Sequence, residues 1–267
     1  MLRSLRHDVF HTPVGCQRLA VHARSQRIDS EMTLKKAPDR SRLRATIPRR
    51  AVEIVEERSA GGTRLTSKYQ LDGDRVGMIC WNDDGTTPLL SRGYKNGRPV
   101  GWQLEHHFDG SVLFAEYYRY GRVDGWTFQW AVDGQLVARC EFRRGTGIDY
   151  WCDPTTGALS EVHPYLAGLP HGCETWWNDD QTTVHIERYW CNGKAHGIER
   201  EWNDHGRLAR GWPRYFIHGE RTDKRRYTRA QHFDPTLPSF RSEDQFPNRT
   251  LPRGFERLLF HDYDDQS

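Results

Sequence analysis

No apolar stretch in the 267-residue chain approaches the ~18 residues that a membrane-spanning helix needs. Cys-x-x-Cys, Gly-x-Ser-x-Gly, a phosphate loop and a dinucleotide fingerprint are all missing, which removes the familiar sequence grounds for an enzyme. Aliphatic residues are scarce. With glycine counted in and tyrosine left out, the apolar share is about 41%, below the ~45–50% of ordinary globular domains, so a thick two-layer core is not expected. The six cysteines share no repeat phase and follow no secretory signal, so they read as reduced thiols of a cytoplasmic protein.

What the chain has instead is aromatic residues, ten of them tryptophan, and charge sorted along its length. Residues 1–50 carry twelve Lys/Arg against four acids (Asp8, Asp29, Glu31, Asp39), so the remaining body is acidic although the whole chain is +3. A basic leader on an acidic body does not resemble a nucleic-acid-binding face, and no nucleic-acid partner is expected. Residues 1–60 read as a basic, disordered extension. Its first 25 residues weakly suggest an organelle-targeting peptide, with an over-extended gene start and initiation at Met32 as the alternative.

The main signal is a repeat. An aromatic three or four residues before a glycine, with a second glycine four residues later, is the pattern; its first glycine falls at Gly73, Gly97, Gly121, Gly145, Gly168, Gly193 and Gly219, at spacings of 24, 24, 24, 23, 25 and 26. The second glycine follows at Gly77, Gly101, Gly125, Gly172 and Gly197. The fourth unit is degenerate (Gly145-Thr146-Gly147), and the seventh has Asp223 at the second position. Asn96-Gly97 and Asn192-Gly193, with Asp84-Gly85, Asp109-Gly110 and Asp133-Gly134, favour type I′ turns between period-two runs such as Trp126, Phe128 and Trp130. Each unit therefore reads as one β-hairpin. The array over 61–220 is predicted as a single all-β, elongated antiparallel meander, a twisted sheet of twelve to fourteen strands, flanked by irregular N- and C-terminal extensions.

Sharing one phase puts equivalent side chains in columns: His106, Trp130, Trp177 and Trp202 in one, Trp102 and Trp126 in another. These rings, with Phe128, either stiffen the sheet as cross-strand neighbours or form an exposed aromatic strip for a ligand. They are the candidate binding residues. His171 and His196 share the position before the second glycine and could face each other across neighbouring hairpins. Zinc would want about four ligands, and this phase offers Val76, Val100 and Asp124 elsewhere, so neither a metal nor a cofactor is expected. The turn carboxylates, among them Asp83-Asp84 and Asp179-Asp180, are explained by local backbone hydrogen bonding. In the tail, 221–267, residues around Tyr227 and Phe233 are expected to cover the last edge strand, and Gly254–Phe260 to form a short helix.

The units Tyr94-Lys-Asn-Gly97-Arg-Pro-Val-Gly101-Trp102 and Tyr189-Trp-Cys-Asn-Gly193-Lys-Ala-His-Gly197 resemble the MORN repeat. They are most similar to the bacterial variant in proteins often labelled toxin–antitoxin antitoxin components. That resemblance covers residues 69–220 and implies a curved sheet that serves as a protein-binding or scaffold surface without catalytic residues. Its structural glycines would be Gly97, Gly101, Gly121, Gly125, Gly168, Gly172, Gly193 and Gly197. The alternatives are an antitoxin-like role, neutralising a toxin by binding, and a membrane-lipid- or glycan-binding module using the aromatic columns.

Overall fold

The computed structural model describes residues 37–252 with 254 and 255. The chain forms hairpin after hairpin, in two open antiparallel sheets. The first contains β1 (Val52–Arg58), β2 (Arg64–Leu71), β3 (Asp74–Trp81), β4 (Pro88–Lys95), β5 (Arg98–Pro99), β6 (Gly101–His106), β7 (Val112–Arg119), β8 (Arg122–Trp130) and β9 (Leu136–Phe142). The second contains β10 (Gly147–Cys152), β11 (Leu159–Leu166), β12 (Leu169–Pro170), β13 (Gly172–Trp177), β14 (Val184–Cys191), β15 (Lys194–Ala195), β16 (Gly197–Glu201), β17 (Arg214–Ile217) and β18 (Glu220–Thr222). A helix, α1 (Lys224–Gln231), follows.

The repeat glycines explain the hairpins. Asn96 (φ 53°) and Gly97 (φ 72°) are both left-handed, as a type I′ turn requires, and the six other first-glycine turns repeat that pair of positive φ values. The Asp-Gly turns differ from the expectation. Only their glycine has positive φ, and the aspartate keeps an ordinary backbone while its carboxylate accepts the amide two residues on: Thr86 on Asp84, Ser111 on Asp109, Gln135 on Asp133. The Thr86 and Ser111 hydroxyls, which donate to the same carboxylates, hold the Asp84 and Asp109 carboxyls below their usual range together with these amides.

The expected single sheet is broken at the degenerate fourth unit. Between β9 and β10 only one isolated bridge, Arg143 with Thr146, is formed. The Gln129 side chain takes over part of the missing ladder: its carbonyl accepts the Cys152 amide at 2.9 Å and its amide donates to the Cys152 carbonyl at 2.6 Å. Both partners are buried, where an unpaired backbone group costs ~1–3 kcal/mol, so the wholly buried Gln129 offsets the shortened turn.

A thin core implies that something must cover the sheets, and the chain ends do so. In the first sheet Ser67, Ile79, Ser91, Leu104, Ala115 and Phe128 are successive cross-strand partners on one face. Ala37 and Leu43 pack with Leu104, Ala115, Phe128 and Trp130 in one apolar cluster. Thr46 and Ile47 lie so close that a Cβ on Gly77, Gly93 or Gly101 would overlap them. Residues 37–60 are therefore not the disordered extension expected: they hold this covering segment and the edge strand β1. Residues 1–36 lie outside the described residues.

In the second sheet the same face carries Tyr150, Val162, Thr175, Glu187 and Arg200 in register. Here the tail is the cover. Tyr227 packs on Tyr215 (ring centroids 5.1 Å) and Phe255 on Tyr150 (5.7 Å). Arg200, 1% exposed, bridges Glu187 and Asp244, and Arg249 binds Glu187 with a second guanidinium. Tyr227 is buried as expected, but Phe233 is 85% exposed and covers no edge. Gly254 and Phe255 are helical, and the rest of the expected terminal helix lies outside the described residues.

Candidate functional site

The aromatic columns do not form an exposed strip. Phe128 is 1%, Trp130 3%, Trp202 5% and Trp177 6% exposed, while Trp102 and Trp126 are half-buried against the first cluster. Trp130 stacks on Phe128, and the Trp177 indole donates to Thr175 two residues earlier, so strand alternation places both rings on the covered faces. The terminal segments supply the second layer that a single-layer reading left out. As binding residues this set is therefore corrected to a structural one.

The position before the second glycine has an unforeseen role. Asp124 accepts the amide of Arg144, Thr146 that of Ala167, His171 that of Asn192, and His196 that of His218. Each donor is the positive-φ residue of the next unit's turn. A second bond joins successive turns through backbone: Gly145 to Val123, Gly168 to Gly145, Gly193 to Pro170, Gly219 to Ala195. His171 and His196 each accept from a different turn.

His196, His218 and Asp234 bring their ligand atoms within 4.8 Å of one another. Two separations, 3.4 and 3.6 Å to the Asp234 carboxylate, are near the edge of a zinc tetrahedron, about 3.3 Å for bonds of 2.0–2.1 Å. The protons argue otherwise. His196 Nδ1 accepts the His218 amide at 3.0 Å, so the neutral ring carries its proton on Nε2, the atom a metal would need. That N–H points at the Thr236 hydroxyl (2.9 Å) and at Asp234. The residues fit a hydrogen-bonded clasp between the last turn and the segment after α1. Burial and the neighbouring His218 hold the His196 pKa below its usual value, which keeps it neutral.

The chemistry-bearing face is the other side of the second sheet. Asp149 pairs with His163, Glu174 with Arg188, and Glu199 with Arg214, so charge alternates across six successive main strands. The pairs are linked in turn: His163 Nδ1 meets Glu174 at 2.5 Å, and Arg188 acts on Glu199. His163 also binds Glu161 through Nε2 at 2.8 Å. Burial opposes a charged His163 ring, but the bonds to Glu161 and Glu174, with the fields of Glu174 and Asp149, outweigh it and push the pKa up to about 9. Burial raises the Glu199 carboxyl, against the pull of Arg188 and Arg214.

Tryptophan frames this ladder. Trp176 stands edge-on to His163 (5.6 Å) and beneath Arg188 (4.9 Å), Trp190 donates to Glu174 at 2.7 Å, and Arg214 lies over Trp212 at 4.0 Å. Trp176, Trp190, Arg188 and Arg214 are half-buried, neither core nor free surface. None of these residues was singled out from sequence, although Glu174 and Glu199, and His163 and Arg188, each recur 25 residues apart. The five described cysteines carry no disulfide, and burial pushes the Cys152 and Cys173 thiols up to about 12. Comparison with protein-family models, curated proteins and solved structures returns no match to the chain.

Proposed function

We propose that this chain is a non-catalytic, MORN-like interaction module that docks a protein partner on the Trp176–Trp190 face of its second sheet. One observation carries the reading. The terminal segment covers the Glu187–Arg200 face, while the opposite face presents half-buried Trp and Arg held in place by a paired charge ladder. Trp and Arg are the residues enriched at interface hot spots, and side chains fixed before binding lose little entropy on docking. An antitoxin-like protein that neutralises a toxin by binding is one form of this activity. The glycan- or lipid-binding alternative drew on exposed aromatic columns, and their burial removes its support.

The test is quantitative capture by the immobilised full-length chain, comparing wild type with Trp176→Ala. A hot-spot truncation of ~2 kcal/mol or more weakens binding by roughly 30-fold. Retained affinity in Trp176→Ala, at an unchanged melting temperature, would exclude this face as the docking surface.

A further inference from the structure

Helix α1 has the wrong charge for its own stability. Its first turn holds Lys224, Arg225 and Arg226 and no acidic residue, although a helix N-terminus carries partial positive charge and disfavours cations. Asp223 caps the helix by accepting the Arg226 amide at 2.8 Å, which relieves one donor but leaves three cations in the first turn. Arg229 adds a fourth charge, and residues 224–233 contain no acid. Among the described residues Arg225, Arg226 and Arg229 form no ion pair within the chain. The helix buries Tyr227 and turns Arg225, Thr228, Arg229, His232 and the 85%-exposed Phe233 outward, around a shallow open depression.

We propose that this face is a peripheral docking surface for an anionic lipid bilayer, with the arginines on the headgroups and Phe233 in the interface. Charge complementarity fixes the sign of the partner, since four cations around one capping carboxylate gain from further anions. The exposed ring at the end of the basic face favours a bilayer, where an apolar group can leave water. Length disfavours nucleic acid. The basic helix is only about 12 Å long at 1.5 Å per residue, which leaves room for few of the phosphate contacts that a long polyanion needs. No described helix is long and apolar enough to span a membrane. This surface is separate from the Trp176 face, and either proposal can fail without the other.

The experiment is co-sedimentation of the full chain with vesicles of phosphatidylcholine alone or with phosphatidylserine, with a duplex oligonucleotide as competing probe. Wild type should bind the anionic vesicles and not the zwitterionic ones. Arg225→Glu with Arg229→Glu reverses two charges at exposed positions and should reduce anionic binding by more than roughly 10-fold. Phe233→Ser should reduce it further in the same background and by itself, at an unchanged melting temperature. Binding that survives the double arginine variant would assign the affinity to another basic region and overturn the proposal. Equal binding to both vesicle types, no vesicle binding, or preference for the oligonucleotide would also overturn it.

Discussion

His163 shows what one ring does when two carboxylates hold it. Its folded pKa of about 9 exceeds its ordinary 6.5, so the folded state binds the proton more tightly than the unfolded chain does. The stabilisation is therefore complete below about pH 6.5 and is lost as pH rises through 9. Melting curves across that window should fall in wild type. His163→Gln, which cannot titrate, should melt lower than wild type at pH 6 and approach it above pH 9. Parallel curves for the two proteins would mean that the ring is not charged in the fold. The residue was invisible in the sequence for a simple reason: a lone histidine on a strand has no partner until register sets Asp149 opposite and Glu174 alongside.

Hairpins were legible because turn chemistry recurs in phase, and the phase held even where local chemistry did not favour the turn. Tyr120, Arg144, Ala167 and His218 adopt positive φ at the same position as Asn96 and Asn192, although side chains of these types visit that region at a cost of ~1–2 kcal/mol. Stacking of successive turns through Gly145, Gly168 and Gly219 helps hold Arg144, Ala167 and His218 there. The covering segment 37–50 was not legible, because its contacts rest on few apolar residues in a basic stretch and show no period. The glycines beneath it do carry a trace. Gly93 lies outside both repeat positions, and a Cβ there would overlap the Thr46 carbonyl. Gly93→Ala should therefore displace this segment, at about 1–3 kcal/mol of overpacking. Limited trypsin digestion should then cut at Arg44, Arg49 and Arg50 well before the sheets. Gly97→Ala is the control, since it strains a turn with open space around it and should leave those sites protected.

At the scale of the molecule, the two sheets solve the same problem with different materials. The first covers its face with apolar contacts from Leu43 and Ala37, and the second adds a buried charge network to the apolar contacts of Tyr227 and Phe255. Glu187, its side chain 4% exposed, serves two guanidiniums, Arg200 from the sheet and Arg249 from the tail, while Asp244 takes the other side of Arg200. Taking four charged groups out of water is unfavourable, and only mutual pairing offsets it. The Trp202 indole N–H donates to the Gln245 carbonyl and the Val184 amide to the Pro247 carbonyl, so the tail is also held at backbone level. This arrangement could not be read from sequence, because Glu187 and Arg249 are 62 residues apart and neither belongs to a motif. Glu187→Gln removes the shared anion and leaves Arg200 with Asp244 alone. The expected loss is ~3–5 kcal/mol, the range for a buried pair deprived of one partner, read as a lower urea midpoint. Asp244→Asn should cost less, because its side chain is 22% exposed and Glu187 still serves both arginines. If the two variants unfold at the same midpoint, Glu187 is not the hub of the network, and the tail is held by Tyr227, Leu237 and Phe255 instead.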